Sequence, residues 1–227
     1  MPEKIQSPSE IAESVYSRVF RTDFSQPGFA LINLGPDCGS ETQRQLMIDL
    51  KNEFDRLERR YRGRQLGYQS LTRFDQQVTT KPHRDGGPDE SILMLGYEPS
   101  LIESRLEMSD YSKCAYDLSM TPTEFLDQFN PMFPDGQNRL AAYTTPIDDF
   151  DNTSFQIMLI NNSMKQFGDG LVGVLHTATI INPNPDLRRI INSTMIASVP
   201  QGHGGSISVD EQNDFVTTAV VRRPVYG

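Results

Sequence analysis

The sequence predicts a mainly β domain with flanking helices, and three observations carry that prediction. Two amphipathic helical stripes lie within the first 66 residues. From residue 67 to about 199, short strand-like runs alternate with turn-forming clusters. The composition, 37% hydrophobic and 22% charged, is enough for a real core and does not resemble a disordered chain. Many short strands punctuated by Gly, Pro, Asn and Asp indicate a sandwich or a barrel-like jelly roll.

In chain order, "SPSE" reads as the start of a helix. Ser7 is the N-cap, Pro8 takes the first helical position and Glu10 closes a capping box. Ile11, Val15 and Val19 follow at helical spacing. "FALINL" (29–34) is a strand ended by "GPDCG". A second helix starts at Ser40, and its apolar stripe of Leu46, Leu50, Phe54, Leu57 and Tyr61 suits packing on a sheet.

The strand-like runs are "YQSLTRFDQQVTTKPH", "SILMLGY", "SRLEMSDYSKCAYDL", "NRLAAYTT", "SFQIMLINN", "LVGVLHTATII" and "RRIINSTMIASV". "DGGPDE", "NPMFPDGQN", "PIDDFDN" and "INPNPD" separate them. "TPTEFLDQF" is a candidate short helix. The expected organisation is one domain over 1–227, with helical support in 1–66, a β core in 67–199 and a tail in 200–227. The tail opens on a glycine-rich linker and offers one more strand, "FVTTAVV", or a mobile end.

Net charge is −9, from 21 basic and 30 acidic residues. A phosphate backbone calls for clustered Lys and Arg, so a nucleic-acid partner is not expected. No apolar run is long enough to span a bilayer, and the N-terminus has no signal-peptide-like stretch. Cys38 and Cys114 form no metal-type pair. The expectation is a soluble cytoplasmic protein with two free thiols.

Chemistry concentrates in "TTKPHRDGG" (79–87). Strict alternation along one strand puts Arg73, Asp75, Gln77, Thr79, Lys81, His83 and Asp85 on one face, with Phe74 and Val78 on the other. A polar row inside a β domain implies a wet pocket, because each buried, unpaired polar group costs roughly 1–3 kcal/mol. The plainer alternative is a solvent-exposed face. Of the three histidines, His176 lies in "LVGVLHTATII", on a face shared with Val172, Val174, Ala178 and Ile180. Alone, it would read as a core histidine. A turn and the arginine pair Arg188–Arg189 follow it.

This order of His-x-Asp, a run of strands, a strand His, a turn and a strand Arg resembles the Fe(II)/2-oxoglutarate-dependent oxygenases over roughly residues 67–199. The resemblance implies a double-stranded β-helix, a jelly-roll, cupin-like fold. It also implies that His83, Asp85 and His176 are a facial triad for Fe(II), with positions left for 2-oxoglutarate and O2. Arg188 or Arg189 would then grip the far carboxylate of the cosubstrate through paired hydrogen bonds. Alternation favours Arg188, which shares a face with Ile190, Asn192 and Thr194, over Arg189, which shares one with Ile191, Ser193 and Met195. The sequence lacks the R-x-S form common in the family. Gln77 and Arg73 are expected to touch cosubstrate or substrate. Asp85 favours hydroxylation, because halogenating relatives lack that carboxylate.

The expected substrate is a small molecule or a peptide. Tyr143, Gln156 and Asn162 are further pocket candidates, and His203 in "QGHGGS" belongs to a loop. The alternatives are a cupin-like metal-binding protein or isomerase without oxygenase activity, and a metal-free structural module.

Overall fold

The computed structural model describes residues 6–205 and 207–222, and its first element begins at the capping box. Helix α1 (Pro8–Val19) has Ser7 accepting from the Glu10 amide while the Glu10 carboxylate accepts from the Ser7 amide. Strand β1 (Phe29–Gly35) leads to helix α2 (Ser40–Arg62), which Gly63 ends in the left-handed conformation, φ 64°. Gly needs no Cβ there, so the turn is unstrained.

Strands β2 (Arg64–Asp75), β3 (Ser91–Tyr97), β4 (Ser104–Ser109), β5 (Thr144–Pro146), β6 (Phe155–Asn161), β7 (Leu175–Ile180) and β8 (Ile190–Pro200) complete two sheets. The larger runs β1-β6-β3-β8-β2 and the smaller β5-β4-β7, and all these strand pairs are antiparallel. The sheets stay separate and do not close into one barrel. Helices α3 (Tyr111–Asp117), α4 (Pro122–Gln128) and α5 (Pro134–Leu140) fill the connection between β4 and β5. Helix α6 (Val209–Thr217) lies near the C-terminus.

Three expectations change here. The run "SRLEMSDYSKCAYDL" is strand only to Ser109 and then turns helical, with the Asp110 side chain capping α3. "NRLAAYTT" is mostly the end of α5 and a 3-10 turn. "FVTTAVV" is helix through Thr217, started by the Ser208–Glu211 capping box. In the first and third cases a side-chain cap outweighs the strand propensity of the apolar residues, and α5 starts on Pro134 without one. The expected short helix in "TPTEFLDQF" is α4, with its own Thr121–Glu124 capping box.

Alternation sorts the strand residues between two cores. Ile92, Met94, Ile157, Leu159 and Ile196 face outward and pack under α1 and α2 with Val15, Met47, Leu50 and Phe54. Leu93, Leu95, Tyr97, Met158, Ile160, Ile191 and Met195 face inward and meet Leu106 and Met108 of β4. The helices therefore seal one face of the large sheet, and the inner face is left to shape a cavity. Cys38 and Cys114 are free thiols. Among the described residues no helix is long and apolar enough to cross a membrane.

Candidate metal centre

His83 and His176 meet because the chain crosses between sheets. After Asp75 it leaves β2 and runs along β7, where the Thr80 amide donates to the Ala178 carbonyl at 2.9 Å. Three residues on, His83 and His176 form an antiparallel bridge: each amide donates to the other's carbonyl, at 3.1 and 2.9 Å. Residues paired in this way project their side chains to the same side. The two imidazole centroids lie 4.2 Å apart.

Asp85 completes the group. Its Oδ1 is 3.4 Å from His83 Nε2 and 4.0 Å from His176 Nε2. One ligand atom from each of the three residues falls within 4.8 Å of the others. The Asp85 backbone is held by Asn162, whose Oδ1 accepts from the Asp85 amide at 2.9 Å and whose Nδ2 donates to the Asp85 carbonyl at 3.0 Å. Asn162 is fully buried, just beyond the end of β6. Its bonds replace a strand partner for a loop that has none. His83 Nδ1 lies 2.8 Å from the Lys81 carbonyl. That contact calls for a proton on Nδ1 and leaves Nε2 facing Asp85.

The three ionisations are linked. Burial pulls His176 down to about 4, the nearby His83 adds to the effect, and Asp85 only partly opposes it. Burial also disfavours a charge on His83, but the Asp85 carboxylate and the Lys81 carbonyl outweigh it and raise its pKa. Burial pushes Asp85 up, whereas the His83 hydrogen bond and the charges of His176, His83 and Arg84 bring it below the usual carboxylate range. At neutral pH His176 is a neutral donor and Asp85 an anion. Two imidazoles and one carboxylate suit a divalent transition metal and leave further coordination positions open. The site residues fit such an ion.

The triad opens into a cavity of about 490 Å³, lined also by Thr72, Phe74, Gln76, Leu95, Tyr97 and Arg189. Arg189 is buried. Its Nε donates to Ser104 Oγ at 3.1 Å and its Nη1 to the Gln76 carbonyl at 3.2 Å. The guanidinium lies 5.1 Å from the centroid of the Tyr97 ring. Nη2 is buried and makes no hydrogen bond of ordinary geometry. Burial lowers the Arg189 pKa, partly opposed by Tyr97 and Asp75. A guanidinium nonetheless remains charged in proteins.

No protein-family model matches this chain, and no curated protein matches it. What the centre does has to follow from its own chemistry.

Two sequence expectations about this cavity are corrected. Arg189 enters it, and Arg188 is exposed, its carbonyl accepting from Ser100 Oγ at 2.7 Å. The register is the reason: Ile191 and Ser193 pair with Phe74 and Thr72 on the inner face, whereas Asn192 faces α2 and donates to Gln43 Oε1 at 2.9 Å. Likewise, Thr72, Phe74 and Gln76 line the cavity, and Arg73 and Gln77 do not. Arg73 points to the helical side and pairs with Glu98 at 3.0 Å. Gln77 braces the β7–β8 turn through the Leu187 carbonyl and the Asn184 amide, both at 2.8 Å. Strict alternation from Arg73 to Asp85 fails because the chain leaves β2 after Asp75 and Pro82 interrupts the new pairing.

The remaining candidates lie elsewhere. Tyr143 donates to Asp117 at 3.0 Å. The Gln156 side chain bonds within the 149–151 loop. His203 is exposed, with Nδ1 near the Gln201 carbonyl. Tyr97, Gln76 and Phe74 were missed as lining residues. The pairing of β8 with β2 and with β3 reveals Phe74 and Tyr97, the Gln76 amide bond to the Arg189 carbonyl reveals Gln76, and no short motif does.

Proposed function

We propose that the chain is a non-haem Fe(II) oxygenase that couples 2-oxoglutarate decarboxylation to oxidation, by preference hydroxylation, of a small-molecule or peptide substrate. The observation that carries this reading is Arg189. It is a buried cation with a spare donor and no ion-pair partner among the described residues, and it lines the same cavity as the His83–Asp85–His176 group. A buried guanidinium with an unused donor is costly, so a site that keeps one is suited to an anionic ligand. A metal-only isomerase has no need of it.

The path of the chain also supports a double-stranded β-helix. From β2 it crosses to the edge of β7, returns as β3, supplies β4 and β5 to the small sheet, and then alternates large, small, large through β6, β7 and β8. The formal charge of −9 accords with a substrate other than nucleic acid.

In this reading His83, Asp85 and His176 hold Fe(II), and Arg189 holds the far carboxylate of 2-oxoglutarate. Bound Fe(II) would supply the redox chemistry that joins cosubstrate, O2 and substrate. The protein's part is to orient and to exclude water. The Lys81 carbonyl keeps the His83 Nε2 directed inward, and Asn162 holds the Asp85 backbone. Phe74, Leu95 and Ile191 present apolar walls that strengthen the Arg189–carboxylate attraction by displacing water.

The test is spectroscopic and chemical. Under anaerobic conditions, Fe(II) and 2-oxoglutarate together should produce a weak visible charge-transfer band. In air the same mixture should slowly form succinate. If the metal binds but 2-oxoglutarate produces neither signal, the cupin-like alternative takes its place.

A further inference from the structure

We propose that the C-terminal arm gives this cavity a second arginine, Arg222, that selects substrates carrying an anionic group, a carboxylate or a phosphate. The inference rests on the oxygenase reading for its view of what else fills the cavity, and its placement rests on the fold. After α6, the chain returns to the free edge of β2. The Asp75 amide donates to the Arg222 carbonyl at 3.0 Å, and the Arg222 amide donates to the Arg73 carbonyl at 2.9 Å. Phe74 and Arg222 thus form a parallel bridge.

Four further bonds anchor the arm where it leaves the helix. Arg44 Nε and Nη2 donate to the Val216 carbonyl at 2.9 and 2.6 Å, Arg44 Nη2 also donates to the Thr218 carbonyl at 3.3 Å, and Arg73 Nη1 donates to the Ala219 carbonyl at 3.3 Å. The arm is therefore an added edge of the large sheet. Bridge partners project to the same side, so Arg222 follows Phe74 toward the inner face. It lines the same cavity as the triad and Arg189.

The Arg222 side chain is exposed and makes no hydrogen bond or ion pair with the described residues. With the site filled as proposed, Arg189 is taken by the cosubstrate, whereas the exposed Arg222 side chain lines the same cavity with no role in holding the metal or 2-oxoglutarate. A guanidinium there can take a carboxylate or phosphate through two parallel hydrogen bonds. A neutral substrate would leave it unused.

The experiment uses the full chain loaded with Zn(II), with and without saturating 2-oxoglutarate, and three matched probes: phenylacetate, phenylacetamide and phenyl phosphate. Binding is read by ligand-observed NMR titration. Wild type should bind at least one anionic probe about threefold to tenfold more tightly than the amide, the range expected of a partly exposed charge-assisted pair. Arg222→Gln should abolish that preference and Arg222→Lys should retain part of it, with zinc content and 2-oxoglutarate affinity unchanged in both. Whichever anion is preferred identifies the substrate's charged group.

Equal binding of all three probes, or no binding of any anionic probe, would overturn the proposal. So would an Arg222→Gln protein that keeps the preference, or one that loses 2-oxoglutarate affinity, since Arg222 would then serve the cosubstrate. The two readings fail separately. An Arg222-dependent anion preference without any 2-oxoglutarate binding removes the oxygenase and keeps the anion site. Tight 2-oxoglutarate binding without anion preference does the reverse.

Discussion

His83 and His176 are a hydrogen-bonded antiparallel pair, joined through their backbones at 3.1 and 2.9 Å. Backbone pairing does not depend on the imidazoles, so either side chain can be removed without breaking the bridge. His83→Ala and His176→Ala should each abolish stoichiometric Co(II) or Fe(II) binding while keeping a cooperative thermal transition. Metal analysis of the purified variants checks this. Full metal content in His176→Ala would refute the triad.

The two arginines should behave unequally. Arg189→Ala should weaken 2-oxoglutarate binding by roughly 30-fold to several thousand-fold, because losing one partner of a desolvated pair costs about 2–5 kcal/mol. Arg188→Ala removes an exposed side chain and should alter that affinity less than about fivefold. Titration of 2-oxoglutarate into the Zn(II)-loaded proteins distinguishes them.

Asn162 should matter to the metal without touching it. Asn162→Leu deletes both bonds to the Asp85 backbone and the 3.1 Å bond to Ser91 Oγ. Metal affinity should fall about 10- to 100-fold, as is usual when an outer partner of a ligand is lost. A competition titration with a chelator of known affinity reads it. Unchanged affinity in a folded variant would mean the loop holds Asp85 unaided.

The two faces of the 72–77 segment separate by readout. Phe74→Ala and Gln76→Ala change the cavity wall and should alter 2-oxoglutarate or substrate affinity. Gln77→Ala removes two hydrogen bonds from the β7–β8 turn. It should lower stability by about 1–3 kcal/mol and leave ligand affinity in the surviving folded fraction unchanged. Denaturant melts and ligand titrations on the same samples make the comparison.

Glu98 makes the fold acid-sensitive. Burial raises its pKa, but hydrogen bonds from Ser40, Asn192 and Arg73 outweigh that and bring it below its ordinary value of 4.5. A carboxylate lowered in the folded state stabilises above its unfolded pKa, and the benefit disappears as pH falls through the folded pKa. Stability should therefore decline below about pH 4.5. Glu98→Gln should cost on the order of 3 kcal/mol at pH 7 by leaving Arg73 uncompensated, and should flatten the acid limb. Denaturant melts from pH 7 to pH 3 measure both effects.

Much of the fold is local in origin, and so was legible in the sequence. The Ser7–Glu10 box, the α2 stripe closed by Gly63, and β1, β3, β6, β7 and β8 each follow from a cap or a periodicity within a few residues. His83, Asp85 and His176 were also visible as residue types in order. Their meeting is a long-range event, produced when the chain leaves β2 after Asp75 and pairs with β7. Which face lines the cavity was likewise decided by pairing. The β2–β8 register sends Phe74 and Ile191 inward and Arg73 and Asn192 toward α2. A side-chain period of two makes every such assignment reverse when the phase slips by one residue. Alternation carried unbroken through residues 73–85 could not register the change of sheet, and it therefore chose Arg73 and Gln77; the separate choice of Arg188 took the face of Asn192, which turns to α2. Tertiary pairing put Phe74, Gln76 and Arg189 in the cavity, because hydrogen bonds to a strand about a hundred residues away set the phase there.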